Sequence, residues 1–303
     1  MTGGHDPDAY VELGSFTKVL TGTVLDVLVG THVVSLDDPV ERWLSAAPGT
    51  GVTLRHLADH TSGLPRLPPD TGLFNPYRDF TQARLNELVG RLDSLLTTRP
   101  GEREEYSNLG YAVLGAALTS AADRSYEELV NDHVLAPLGL PAVTVTARPP
   151  MDQRLLASSW FGRPSKPWDL TGAILPAGGM WASTRTAARL LTGLVVDKTL
   201  GEPALTWRRV GERPLTYHNG ATRKSRIFAG AIHDGRWVVV HRLSGSIKGT
   251  DRAGIDELRA AAKGVDEAAP AGDPCQAGPG AIGLRGQVLQ PQLIGSSTRA
   301  GRT

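Results

Sequence analysis

Apolar residues recur at helical spacing from about Ser15 to Val29, with Leu20, Val24, Val27 and Leu28 on one face. The pattern predicts a helix there, with Ser15 as a competent N-cap. VSLDDPVERWL reads as a turn and a short helix with Pro39 near its start. TLRHLADHTSGLPRLP reads as another short helix, ended by Ser62-Gly63 and prolines. Helical spacing returns at about 81–96, 108–122 and 125–135. Strand patterns come late, at 215–220 (LTYHNG), 226–233 (RIFAGAIH) and 236–243 (RWVVVHRL). Asp234-Gly235 between the last two is a hairpin signal. A last helix is predicted over 251–263. A helical first part followed by an antiparallel hairpin predicts an α+β fold rather than a parallel βαβ arrangement.

Composition narrows the function classes. The chain has 303 residues, 40% hydrophobic and 21% charged, enough for one large domain or two small ones. A formal net charge of +1 gives no electrostatic case for nucleic acid or an anionic membrane. No apolar run approaches the ~20 residues of a membrane span. MTGGHDPDAYVELG lacks the basic start and apolar core of a secretory signal, so the sequence as written reads as cytoplasmic, and as exported if the true start lies upstream. The single cysteine, Cys275, cannot form an intramolecular disulfide and has no histidine-containing motif nearby to make it a catalytic thiol. From about 265 the chain turns rich in Gly, Pro, Ala and Gln without amphipathic period. The expected organisation is therefore one domain over 1–264 and a disordered tail over 265–303. No repeat of fixed period occurs, and no protein partner can be inferred.

Three short motifs carry chemistry. Ser15-Phe16-Thr17-Lys18 is S-x-x-K at a helix start, which puts serine and lysine on one face. A lysine serves as base to a hydroxyl only if its pKa falls, and burial and the positive helix N-terminus both push it down. Tyr106-Ser107-Asn108 precedes the helical run LGYAVLGAAL. A phenol near an ammonium can ionise and take a proton from serine, and the asparagine amide offers a donor and an acceptor. His218-Asn219-Gly220 ends a β-rich run, where glycine permits close backbone approach. Each motif alone has a plain structural explanation: an N-cap with a solvated lysine, a loop tyrosine packed on the core, and a strand entering a turn.

In this order the motifs match the layout of class C β-lactamases, Streptomyces-type D-alanyl-D-alanine carboxypeptidases and related esterases; the sibling set is S-x-x-K, S-D-N and K-T-G. ELGSFTKVLTGTVLDVLVG, VSLDDPVERWL, TLRHLADHTSGLP, PGEREEYSNLGYAVLGAAL, VLAPLGL and PAGGMWASTRTAARLL all resemble the serine β-lactamase and penicillin-binding-protein superfamily, over about residues 10–262. The resemblance implies an antiparallel sheet flanked by helices with a mostly helical subdomain. It implies that Ser15 attacks a carbonyl and is acylated while Lys18 and Tyr106 relay its proton. The backbone N–H groups of Ser15 and Ala221 would form the oxyanion hole. Asn108 would hold the substrate amide, with His218, Gly220 and Ala221 on the strand beside it. The implied substrate is a small molecule or peptidoglycan-derived: a β-lactam, a D-alanyl peptide or a small ester. No metal or cofactor is implied.

Departures from the family pattern point to an alternative, an impaired member that keeps the fold as a binding module. Relatives carry two strands before the nucleophile that pair with the late hairpin, whereas 14 residues precede Ser15; an unpaired sheet edge is the expectation. The connection between ARLL and YHNG is short. HNGATRKSRIF replaces a glycine-rich stretch, with Arg223 and Lys224 where small residues are usual. Histidine at 218, where many relatives have lysine, weakens selection for an anionic substrate, and Arg223 can supply the lost charge. Two other patterns are set aside. Gly278–Gly283 fits G-x-G-x-x-G without a preceding strand, and His56 and His60 at i,i+4 have no evident third ligand. No G-x-S-x-G elbow occurs, which disfavours the α/β-hydrolase fold.

Overall fold

Helix α1 (Thr17–Gly30) follows a tight 3₁₀ turn at Gly14–Phe16. Sequence periodicity gives it one apolar face, but every side chain from Thr17 to Leu25 is buried. It is the central helix of the core, and its polar groups are satisfied there. The Thr21 hydroxyl donates to the Pro176 carbonyl (2.7 Å) and meets the Tyr126 hydroxyl (2.7 Å), and the Thr23 hydroxyl donates to the Val19 carbonyl (2.7 Å). Ser15 is not its N-cap: Phe16, which precedes the helix, already has helical dihedrals (φ −59°, ψ −22°), and no side chain caps the start. The serine hydroxyl is thereby left for other partners.

The computed structural model describes residues 5–72, 75–158, 162–210, 215–266 and 287–289. α2 (Leu54–Ala58) and α3 (Gln82–Val89) pack on α4 (Asn108–Ala122), which together with α5 (Tyr126–Val130) and α6 (Leu175–Gly178) packs on α1, and α7 (Thr184–Leu191) packs on the strands. The helix expected over 81–96 ends at Val89, and a separate 3₁₀ turn follows at Leu92–Leu95. α2 is held by a capping box, in which the Thr53 hydroxyl accepts from the His56 N–H while His56 Nδ1 accepts from the Thr53 N–H. His56 is thus spent on the cap, and His60 lies beyond the helix at φ +66°; no group of three or more metal-ligating side chains occurs among the described residues.

Strands β1 (Tyr10–Glu12), β2 (Val145–Thr146) and β3 (Trp181–Ser183) form a small antiparallel sheet in the order β1-β3-β2. It anchors the chain entering the Ser15 turn, and the Leu13 N–H donates to the Met180 carbonyl at 3.0 Å. The main sheet has the order β4-β5-β6-β7-β8, from Arg208–Val210, Leu215–Ala221, Ser225–Ile232, Trp237–Leu243 and Gln287–Leu289. β6 and β7 form the expected hairpin, turning at Asp234-Gly235 with Gly235 at φ +87°. Helix α8 (Ile247–Asp266), longer than the expected 251–263, covers one face, where Leu215, Phe228, Val238, Val240 and Leu258 cluster. Ile227, Ala229 and Val239 face the main core on the other side. The fold is α+β, an antiparallel sheet flanked by helices.

At the far edge β8 pairs in parallel with β7 at Val238–Val240, so the edge expected to stand open is occupied there. Apart from the end of α8 and β8, the region expected to be a disordered tail, with Cys275 and Gly278–Gly283, lies outside the described residues. No helix among the described residues is long and apolar enough to cross a membrane.

Candidate active site

The turn that carries Ser15 is pressed against the end of β5. Gly14 has φ +51°, and a methyl group there would lie 2.8 Å from the backbone atoms of Ala221. A methyl at Gly220 would lie 1.9 Å from the Leu13 carbonyl oxygen and 2.9 Å from the Phe16 nitrogen. The two glycines let strand and turn meet backbone to backbone, which makes Ser15 and Ala221 neighbours. Gly220 thus lies beneath the turn and is not among the residues lining the adjoining cavity.

Tyr106 comes from the loop before α4. Its hydroxyl donates to Ser15 Oγ at 2.6 Å. The loop is fixed by its neighbour Ser107, which caps α4 by accepting from the Gly110 N–H (2.8 Å) and donates to the Pro65 carbonyl (2.7 Å). The Ser107 N–H donates to His60 Nδ1 (3.2 Å), and the His60 ring lies 4.5 Å from that of Tyr106. Lys18, one turn into α1 from Ser15, is wholly buried. Its Nζ donates to Asn108 Oδ1 (2.8 Å) and to the Ala177 carbonyl (2.6 Å), and sits 4.8 Å from the Tyr106 ring centre. The amide of Asn108 is oriented by these contacts, since its Nδ2 donates to the Tyr77 hydroxyl at 2.7 Å.

Burial pushes the Lys18 ammonium below its ordinary pKa, against the attraction of Tyr106. Burial also raises the Tyr106 phenol, but the Lys18 charge, the hydrogen bonds with Lys18 and Ser15, and the Arg66 charge outweigh it and hold Tyr106 below its ordinary value. One buried pair thus has a softened acid and a softened base beside a serine hydroxyl, an arrangement suited to proton transfer to and from that hydroxyl.

A cavity of about 290 Å³ opens beside this group, lined by Ser15, Asn108, Ala221, Thr222, Arg66, Tyr77 and Trp168 among others. His218 is placed elsewhere. It is 4% exposed, its ring lies edge-on to Phe16 (6.4 Å) and Trp207 (6.5 Å), and it lines a separate cavity of about 340 Å³ with His60, Glu104 and Arg208. Burial, then the Lys18 charge, depress its pKa to about 3, so the ring is neutral at pH 7. Arg223 is exposed, reaches the Lys166 carbonyl at 3.5 Å, and does not line the Ser15 cavity. Four residues that the sequence did not single out take part: Arg66, Tyr77, Trp168 and the carbonyl of Ala177. The signal for Arg66 was its place right after HTSGLP, beside a quoted block; Tyr77 and Trp168 lie in loops without motif or period.

The Beta-lactamase family profile matches residues 2–241. Over 183 residues the chain is 30% identical to the D-alanyl-D-alanine-carboxypeptidase/endopeptidase AmpH of Escherichia coli K12, covering 58% of this chain and 46% of that protein. It is 32% identical over 143 residues to penicillin-binding protein 4* of Bacillus subtilis, covering 45% and 31%. The chain spans less than half the length of these relatives. Among solved structures, D-amino acid amidase from Ochrobactrum anthropi SV3 superposes with a TM-score of 0.69 at 20% identity, covering 86% of each chain, and supports the fold. A β-lactamase/D-alanine carboxypeptidase from Yersinia pestis gives 0.62 at 22% identity over 76% of each. The profile match over most of the chain establishes that this protein belongs to the β-lactamase family, whose members are serine hydrolases.

Proposed function

We propose that the chain is a serine acyl hydrolase that works through an acyl-enzyme on Ser15 and favours small esters over β-lactams. The observation that carries this reading is the 2.6 Å contact of Tyr106 with Ser15 Oγ beside the wholly buried Lys18. Ser15 Oγ attacks the substrate carbonyl carbon while its proton passes to the Tyr106 oxygen, with Lys18 stabilising the phenolate that accepts it. The oxyanion is met by the N–H groups of Ser15 and Ala221. Collapse breaks the bond to the leaving group, which takes the proton from Tyr106 or, where it departs as an anion, leaves that proton to solvent, so that the phenolate is restored. Water then attacks the acyl-Ser15 carbonyl carbon and gives its proton to Tyr106, which passes it to Ser15 Oγ as the ester bond breaks, releasing the acid and restoring the serine hydroxyl. Asn108 orients Lys18 and offers its remaining N–H to the acyl group.

The preference for esters rests on His218. The carboxylate of a β-lactam is carried on the ring attached to the departing nitrogen, and a neutral, buried imidazole offers it no charge-assisted bond. A fluorophosphonate should label the wild type stoichiometrically and Ser15→Ala not at all; an unlabelled wild type would favour the binding-module alternative. At pH 7.5, p-nitrophenyl acetate should be hydrolysed faster than a chromogenic cephalosporin. A cephalosporin preference above about tenfold, some 1.4 kcal/mol, would replace the ester reading with a β-lactamase one.

A further inference from the structure

Arg66 stands in the wall of the Ser15 cavity without a role in the proton relay. Among the described residues lining that cavity it is the only charged side chain, and no carboxylate lines it. No ion pair among the described residues engages Arg66, whereas the nearby Arg84 is paired with both Asp70 and Glu87. Its backbone is fixed, since the Asn108 N–H donates to the Arg66 carbonyl at 2.9 Å and the adjacent Pro65 carbonyl accepts from Ser107. Its guanidinium carbon lies 5.0 Å from the Tyr106 ring centre, stacked on the side chain that touches Ser15. An exposed guanidinium with its fork unpaired, held at the rim of an otherwise uncharged cavity, is built for bidentate contact with a carboxylate.

We propose that Arg66 is an anion subsite that recognises a carboxylate on the acyl part of the substrate. This rests on the acyl-hydrolase reading above and names the substrate class for it. The acyl side is favoured because Asn108 and Ala221, assigned there to the acyl group and its oxyanion, line the same cavity as Arg66. Leu67, Leu170 and Trp168 give that cavity an apolar wall, so the fitting substrate is an ester of a dicarboxylic acid: an apolar methylene chain ending in a charge. On the other side of Ser15 the His218 ring is itself uncharged, and Arg208 beside it lines the separate cavity and not that of Ser15. The Arg66 charge also acts on Tyr106, so its loss slows every substrate, and the test must therefore be a ratio.

The two probes are mono-4-nitrophenyl adipate and its methyl ester, which share chain length and leaving group and differ in one charge. Wild type should favour the monoanion in kcat/KM by about tenfold, the scale of one well-placed charged hydrogen bond. Arg66→Gln should slow both and bring the ratio near one, and Arg66→Lys should retain part of it, since lysine keeps the charge without the fork. Melting curves of both variants should match wild type because the side chain is exposed. A wild-type ratio near one, or an Arg66→Gln ratio unchanged from wild type, would overturn the subsite while leaving acyl hydrolysis standing. An Arg66-dependent preference seen with 3-acetoxybenzoate over its methyl ester, and absent with the adipates, would overturn the acyl-side assignment. Hydrolysis of neither adipate by a chain that also fails to label at Ser15 would overturn both proposals.

Discussion

Replacing Gly220 with alanine tests whether the backbone contact between β5 and the Ser15 turn governs acylation. The added methyl group would sit 1.9 Å from the Leu13 carbonyl oxygen, 2.9 Å from Phe16 N and 2.9 Å from Ile227 Cγ2. Two of these three neighbours are backbone, so rotation of a side chain cannot relieve them. β5 cannot retreat either, because Leu215–Ala221 is paired residue for residue with Arg226–Ile232. The turn must therefore lift by more than an ångström to restore normal contact. Overpacking of this kind costs roughly 1–3 kcal/mol, which for a domain of this size lowers the melting temperature by about 3–10 °C. A displacement of about 1 Å at a nucleophile costs on the order of 10²-fold in rate. The assays are thermal unfolding and kcat/KM for p-nitrophenyl acetate, with Gly30→Ala as control, since nothing lies within 4 Å of a methyl there. A Gly220→Ala variant with the melting temperature and acylation rate of the control would refute the reasoning.

Lys18→Ala and Tyr106→Phe should each slow acylation by about 10²–10⁴-fold; rates near wild type in both would mean that another base operates. For a neutral ester, kcat/KM should rise with pH as the pair loses its proton, on a limb that lies below that of an ordinary phenol. In Lys18→Ala the limb should move to higher pH, because burial then acts on Tyr106 without the opposing ammonium; an unmoved limb would separate the two residues. His218 and His241, held neutral by burial with pKa values of about 3, bind protons on unfolding, so the unfolded state holds more protons between pH 6.5 and 3. Each should cost roughly 1.4 kcal/mol per pH unit as pH falls through that window, while Glu12, raised by burial to about 7, opposes them between pH 7 and 4.5; urea midpoints at pH 6.5 and 4 measure the net loss. His218→Lys should lower the melting temperature and leave cephalosporin turnover unimproved, because the new ammonium would be buried beside Lys18; a gain in turnover would place residue 218 at the substrate.

The helix at 108–122 and the three strands at 215–243 were legible because their signals are local. Ser107 caps one end of α4 and Asp123 closes the other in a left-handed conformation (φ +52°), and the hairpin carries its own Asp-Gly turn. The burial of α1 on all sides was not legible, because it depends on α4, α5 and α6 packing around it from residues 90 to 160 positions away. Ser15 and Lys18 share a helix face by spacing alone. That Tyr106, 91 residues on, would lie 2.6 Å from Ser15 followed only from the family resemblance. Arg66 gave no periodic signal, since its position is fixed by a single backbone bond from Asn108. His218 was legible as a strand residue, but its burial was not, since that is decided by Trp207.

The short connection after α7 and the histidine at 218 are two sides of one packing arrangement. Thr206 lies directly against Gly22 of α1, where a methyl group would come within 2.3 Å of its Cγ2. The next residue, Trp207, packs edge-on to Phe16 at 5.8 Å and to His218 at 6.5 Å. β4 then pairs with the outer edge of β5 at Leu215–Tyr217. Between α7 and β5 the chain thus crosses close to the strand, and its tryptophan packs against His218. A lysine in that position would face an aromatic wall and the Lys18 charge at once, which strongly disfavours an ammonium. A neutral imidazole fits, with Nδ1 hydrogen-bonded to the Asn219 carbonyl at 2.7 Å. His218 thus brings no charge to this side of Ser15, whereas Arg66 is the only charged residue among the described residues lining the Ser15 cavity, which is why the proposed anion subsite is placed there.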